Sequence, residues 1–186
     1  IKGAMNCAYG DPVIAADRES DELYLSTGCG DRPYPAATTT RKNPFPMVDW
    51  RSKDGGKTWS KPREITEKIY RLLDKGSLGP AQSLFFSSGK MTQSRLVKNG
   101  KYYRLYVAIL VRGQGNYVLY SDDFGTNWKI LGGNQMQPCL EGDEAKCEEL
   151  PDGSVLLSSR KEGGRFFNIF NYTDAKKGKG TWQQCV

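Results

Sequence analysis

Glu144 and Arg160 are the residues whose types and spacing point most directly to chemistry. Between them runs Leu150-Pro-Asp-Gly-Ser154, a turn former and a glycine set between residues suited to strands, which is a hairpin signal. If Leu150 faces Ser154 across a three-residue loop, the register carried outward sets Glu144 opposite Arg160. Directly opposed residues share a face of the sheet, with Cβ atoms roughly 4.5–5.5 Å apart. A carboxylate and a guanidinium would then project together: a proton acceptor beside an anion receptor. The plain alternative is a surface ion pair at the mouth of a hairpin.

The elements that must position this pair read as β-structure. Asp11–Asp17 and Glu22–Ser26 are two strands joined by a polar turn, and residues 28–46, rich in Gly, Pro and Thr, are a long exposed loop. Loops of that length usually carry function or disorder. Met47–Ser52 is a short strand. Apolar positions at 65, 69, 72 and 73 predict one short amphipathic helix over 64–75, and the glycine- and serine-rich residues 76–90 read as loop. Asn99-Gly100 between two strand-like runs predicts a hairpin. Tyr117–Ser121 with Trp128–Leu131, then Arg165–Thr173 and a last strand starting at Thr181-Trp182, complete about twelve short strands. Paired strands without βα alternation predict an all-β sandwich, barrel or propeller.

Composition narrows the chemistry further. The 186 residues suit one domain able to bury a core, and no apolar run approaches the roughly 20 residues that span a membrane. Histidine is absent, which removes Ser-His and Cys-His nucleophile systems and the usual zinc sites within this chain. The five cysteines (7, 29, 139, 147 and 185) form no C-x-x-C pair, so neither a metal nor a cofactor is expected. A net charge of +6 leaves nucleic acid or an acidic small substrate open as partners. The lysines are scattered through turns, with one small cluster at Lys176, Lys177 and Lys179, which reads as a solvated surface. Nucleic-acid binding would show itself as affinity falling steeply with salt.

An internal repeat decides between the β architectures. Ser52, Asp54, Gly56, Thr58 and Trp59 match Ser121, Asp123, Gly125, Asn127 and Trp128 as S-x-D-x-G-x-[TN]-W, and a degenerate copy lies near 173–182. The Asp can accept turn N–H groups, Gly supplies an unusual backbone geometry, and Trp packs under the turn. A calcium loop would need acids at alternate positions and a glutamate at twelve, which this motif lacks. Repetition at this spacing is the mark of radial four-stranded blades.

With that motif, an Asp-box, the chain resembles the bacterial exo-α-sialidases, six-bladed β-propellers that release terminal sialic acid. The resemblance covers nearly all of residues 1–186 and implies about three blades, a partial propeller domain. It implies roles residue by residue. Glu144 matches the glutamate that activates a tyrosine nucleophile, and Arg160, sixteen residues on, matches one of three arginines that clamp the sugar carboxylate. Asp11 matches an aspartate that reaches the pocket, and Gln93 a glutamine near the bound sugar. Sialidases are the exception among glycosidases in using a tyrosine rather than a carboxylate nucleophile. The family's Arg-Ile-Pro arginine, acid/base aspartate, third clamp arginine and nucleophilic tyrosine have no match in this sequence; Tyr172 lies too close to Arg160 to take the last role. The resemblance therefore implies sialylated glycans as partners, further blades from flanking sequence or another chain, secretion or surface display, and an isolated chain without turnover. A non-catalytic carbohydrate-binding or interaction propeller sharing the Asp-box is the alternative.

Overall fold

The computed structural model describes residues 8–30, 33–135 and 137–185. The first blade runs β1 (Ala8–Ala16), β2 (Leu23–Gly30), β3 (Met47–Ser52) and β4 (Arg63–Glu64), each antiparallel to the one before. A one-turn helix, α1 (Thr66–Tyr70), leads away from it. The second blade has an interrupted inner edge. There β5 (Leu84–Phe86) pairs with the far half of β8 (Tyr102–Val111), and β7 (Thr92–Asn99) with the near half. Next to β8 come β9 (Gly115–Ser121) and β10 (Lys129–Ile130). Between β5 and β7, the two-residue β6 (Gly89–Lys90) runs parallel to β1 and joins the two blades. The third blade is β11 (Asp143–Glu149), β12 (Val155–Lys161), β13 (Gly164–Asp174) and β14 (Lys179–Cys185).

Three consecutive four-stranded blades are the propeller architecture that the repeat spacing predicts. Three expectations are corrected. Residues 76–90 contain β5 and β6, whose Gly/Ser-rich sequence carries no strand period but is recruited by β8 and β1. Residues 28–30 belong to β2 rather than to the loop. The helix is shorter than 64–75: Ile65 at its N-terminus supplies no side-chain cap, and turns replace it after Tyr70. The Asn-Gly signal marks the β7–β8 hairpin, closed by the pair Asn99 and Tyr102 with Gly100 at positive φ.

The core lies between blades. Val13, Ala15, Tyr24 and Met47 of blade one meet Leu105, Val107, Ile109 and Leu119 of blade two. Tyr106, Ala108, Val118 and Tyr120 from the opposite face of blade two meet Ala145, Val155, Leu157 and Phe170 of blade three. This explains why β8 reads as one apolar run, since both its faces are buried, whereas β1 and β12 alternate buried with more exposed positions. Full burial of each such side chain stabilises by about 1.5–3 kcal/mol.

The Asp-boxes occupy the β3–β4 and β9–β10 turns and are built alike. Ser52 Oγ donates to Asp54 Oδ1 and accepts from Gly56 N, both at 2.8 Å; Ser121, Asp123 and Gly125 repeat both distances. Thr58 N and Asn127 N donate to the respective aspartates at 2.9 and 2.6 Å. At the equivalent β13–β14 turn only Asp174 keeps its role, accepting Lys177 N at 3.1 Å. The register Ala16–Leu23–Ser52 puts these turns at the end of the blade where β1 finishes, opposite to Asp11.

Candidate functional site

The hairpin of blade three forms as its sequence predicts at the turn. Leu150 N donates to Ser154 O at 2.8 Å, Gly153 N donates to Leu150 O, and Asp152 accepts from both the backbone and the hydroxyl of Ser154. Those bonds hold the Asp152 carboxyl below the usual range. From there the register runs Glu149↔Val155 to Ala145↔Ser159 and then slips, so that Asp143, not Glu144, stands opposite Arg160. This corrects the register read from sequence. The cause is local: Glu144 N–H donates to Asp143 Oδ1 at 2.8 Å, and Asp143 C=O accepts from the buried Asn116 Nδ2 at 2.8 Å. Both backbone groups find partners off the ladder, which makes Glu144 the extra residue of a β-bulge.

The bulge re-aims Glu144 without separating it from Arg160. Arg160 Nε lies 3.7 Å from Glu144 Oε2, while its Nη2 pairs with Asp143 Oδ2. All three side chains are about half exposed. Asp11 sits at a second register break, between Gly10 and Val13 of β1, with φ of 50°. Burial and the charge of Glu144 raise its pKa, and Lys146 opposes them. Glu144, at the start of β11, thus meets Arg160 at the end of β12 and lies near enough to Asp11 of β1 for their charges to interact. Lys146 Nζ also donates to Ser88 O, tying β11 to the segment entering β6.

Gln93 is not part of this cluster. Its Nε2 donates to Asp17 Oδ1 at 2.7 Å, and its Oε1 accepts Arg18 N at 2.9 Å. Those partners lie past the end of β1, about 20 Å from Asp11 at the rise of an extended strand. Gln93 braces a turn.

Three residues near the site escaped sequence reasoning. Asp143 had no motif to mark it, because its position depends on the bulge. Tyr34, from the long loop, packs edge-on to Phe85 with centroids 4.7 Å apart. Burial first, and then the negative Asp143, raise its pKa against the pull of Arg112. Arg112 holds this loop by donating to Tyr34 O, Ala36 O and Thr39 O. A long loop beside a strand-terminal arginine was the available signal. A cleft of about 570 Å³ lined by Glu141, Asp143, Arg160, Lys161, Glu162 and Phe166 opens beside the pair.

Chemically, the cluster offers one guanidinium for an anion with two carboxylates against it, Asp143 and Glu144, and a third, Asp11, that burial and then the charge of Glu144 hold above the usual carboxylate range. Comparison with known proteins places the chain as a whole. The chain is 32% identical over 159 residues to a sialidase of Micromonospora viridifaciens, a match covering 82% of this chain and 23% of that protein. Among solved structures, the Hadza microbial sialidase Hz136 superposes with a TM-score of 0.68 at 20% identity, over 97% of this chain and 34% of its own. A Trypanosoma rangeli sialidase in complex with sialic acid gives 0.66 at 15% identity, over 100% and 29%. An intramolecular trans-sialidase from Ruminococcus gnavus, in complex with oseltamivir carboxylate, gives 0.62 at 18% identity, over 100% and 55%. No family model matches the chain. The chain thus spans about a quarter of this curated relative and between 29% and 55% of these solved chains. It is related in sequence to a sialidase, and its three blades are a sialidase-like stretch of β-propeller.

Proposed function

We propose that this chain supplies part of the site of an exo-α-sialidase, which hydrolyses terminal sialic acids of glycoconjugates with retention at the anomeric carbon. The observation that carries the reading is the approach of Glu144 to Arg160, 3.7 Å apart on a bulge, with Asp11 within electrostatic reach of Glu144. Sialic acid is a carboxylate at neutral pH, and a planar, permanently charged guanidinium is its natural receptor. Arg160 would bind that carboxylate. A phenol has a pKa near 10 and needs a base to become a nucleophile. Glu144 would accept the proton of a tyrosine contributed by another part of the propeller. A carboxylate nucleophile would instead be repelled by the substrate's own charge. Asp11 would face the sugar from the neighbouring blade.

Hydrolysis of a fluorogenic sialoside by the protein that carries this segment tests the proposal. Glu144→Gln is expected to lower kcat by at least 100-fold, the scale of a lost general base. Arg160→Ala is expected to raise KM and lower kcat/KM by a similar factor. Variants as active as the wild type would sink both assignments. Binding of sialosides with no turnover would instead establish a carbohydrate-binding propeller. The 186-residue chain alone is expected to show no turnover, and robust hydrolysis by it would overturn the division of the site.

A further inference from the structure

Asp143 is held on every side. Its carbonyl accepts from Asn116, which is fully buried in blade two, so the neighbouring blade fixes its backbone. One carboxylate oxygen accepts the Glu144 N–H at 2.8 Å, and the other pairs with Arg160. Asp143 therefore governs both residues assigned to the chemistry. It sets the aim of Glu144 through the bulge, and it occupies the guanidinium that would receive a ligand's carboxylate. Arg160 Nη1 has no hydrogen-bond partner among the described residues, so an incoming anion can engage it before Asp143 lets go. The pair is half exposed, and such pairs contribute little, so exchange for a bidentate ligand is energetically accessible.

Building on the sialic-acid reading of Arg160, we infer that Asp143 is a specificity-determining placeholder: an internal carboxylate that holds Arg160 at the site and must be displaced by the substrate's carboxylate. It is a positioning residue, since it acts through Arg160 and Glu144. Its two functions separate by substitution. Asp143→Asn keeps an oxygen for the Glu144 N–H and removes the competing charge. Asp143→Ala removes both.

The test is an NMR titration of the protein that carries this segment with N-acetylneuraminic acid and, in parallel, with the methyl ester of its methyl glycoside, which lacks the charge. Asp143→Asn is expected to bind the free acid about fivefold more tightly than the wild type, the upper range for a half-exposed ion pair. Its affinity for the ester should be unchanged. Asp143→Ala should shift the Glu144 amide resonance and fail to reproduce that gain. An Asp143→Asn affinity for the acid no higher than that of the wild type, absence of binding by both included, overturns the inference. Arg160→Ala separates the underlying reading: a variant that still prefers the acid over the ester removes Arg160 as the carboxylate receptor, whatever Asp143 does.

Discussion

Two arginines in this chain have opposite fates, and the contrast shows what makes one a candidate for ligand binding. Arg104 is fully buried, its Nε and Nη2 donating to Asp122 at 2.6 and 3.0 Å and its remaining donors to Ala175 O, Lys176 O and Tyr172 Oη. It also lies 4.3 Å from the centroid of the Tyr120 ring. Burial works against its charge, and Asp122 with Tyr172 more than offset that, so its pKa rises. Every arm of the fork is used: Nε is held by Asp122 within blade two, while Nη1 and Nη2 join that blade to β13 and the β13–β14 turn. Arg160 is half exposed, and its fork is only partly engaged. Arg104→Ala is expected to cost about 3–5 kcal/mol in urea unfolding, because Asp122 and two carbonyls lose their partner. Arg104→Lys should recover only part of that, since an ammonium cannot reproduce the fork. Nothing in the sequence distinguished Arg104 from Arg160 by type. The D-G hairpin singled out Arg160, and Arg104 was hidden inside an apolar strand.

At the scale of the element, the Asp-box was the most legible part of the chain, because its hydrogen bonds are local and its spacing is short. Asp54 shows the consequence for pH. Hydrogen bonds from the Thr58 hydroxyl and backbone, and from Ser52, lower its pKa from 3.8 to about 2. Glu67, paired with Arg41 and then Arg71, is lowered from 4.5 to about 2. A carboxylate with a depressed folded-state pKa stabilises fully above its unfolded value and loses that contribution as pH falls through the folded one. Stability is therefore expected to decline between about pH 4.5 and pH 2, and Asp54→Asn to flatten the part of that decline below about pH 3.8 in urea melts run across this range. The boxes also differ in what lies against them. A Cβ at Gly125, where φ is +81°, would meet the Tyr24 ring of blade one at 2.6 Å, whereas at the equivalent Gly56, where φ is +88°, its nearest neighbour is Leu23 Cδ1 of its own blade at 3.1 Å. Gly125→Ala is expected to destabilise by about 2–4 kcal/mol, strain and overpacking together, and Gly56→Ala by only about 1–2 kcal/mol. Equal losses in thermal or urea unfolding would show that the box does not dock on the preceding blade. The degenerate third copy was legible only as a spacing, because it keeps the aspartate and the tryptophan but not the serine.

For the whole molecule, alternation along strands carried more information than the choice of residues. The unbroken apolar run of β8 belongs to a strand covered on both faces, and the alternation of β1 and β12 to strands with one open face. The class was legible from the paired strands and their turns, and the blades from the repeat and the resemblance it supports. What escaped was everything decided by a neighbour: β5 and β6, which exist because β8 and β1 offer them edges, and Gln93, whose amide is claimed by the turn after β1. The slip at Glu144 escaped for the same cause. It depends on Asn116, which lies 28 positions earlier and in another blade.

That slip means the aim of the glutamate is encoded in chain length as well as in side chains. Removing one residue between Asp143 and Ala145 would let the ladder close, at little cost to the hairpin, and would leave Asp143 facing Arg160 with no second carboxylate leaning across it. A conservative substitution at 144 could be repaired by another residue type, but a one-residue deletion could be repaired only by an insertion at the same place. For this site, the informative variation among related chains is therefore a gap, which a comparison of residue identities alone passes over.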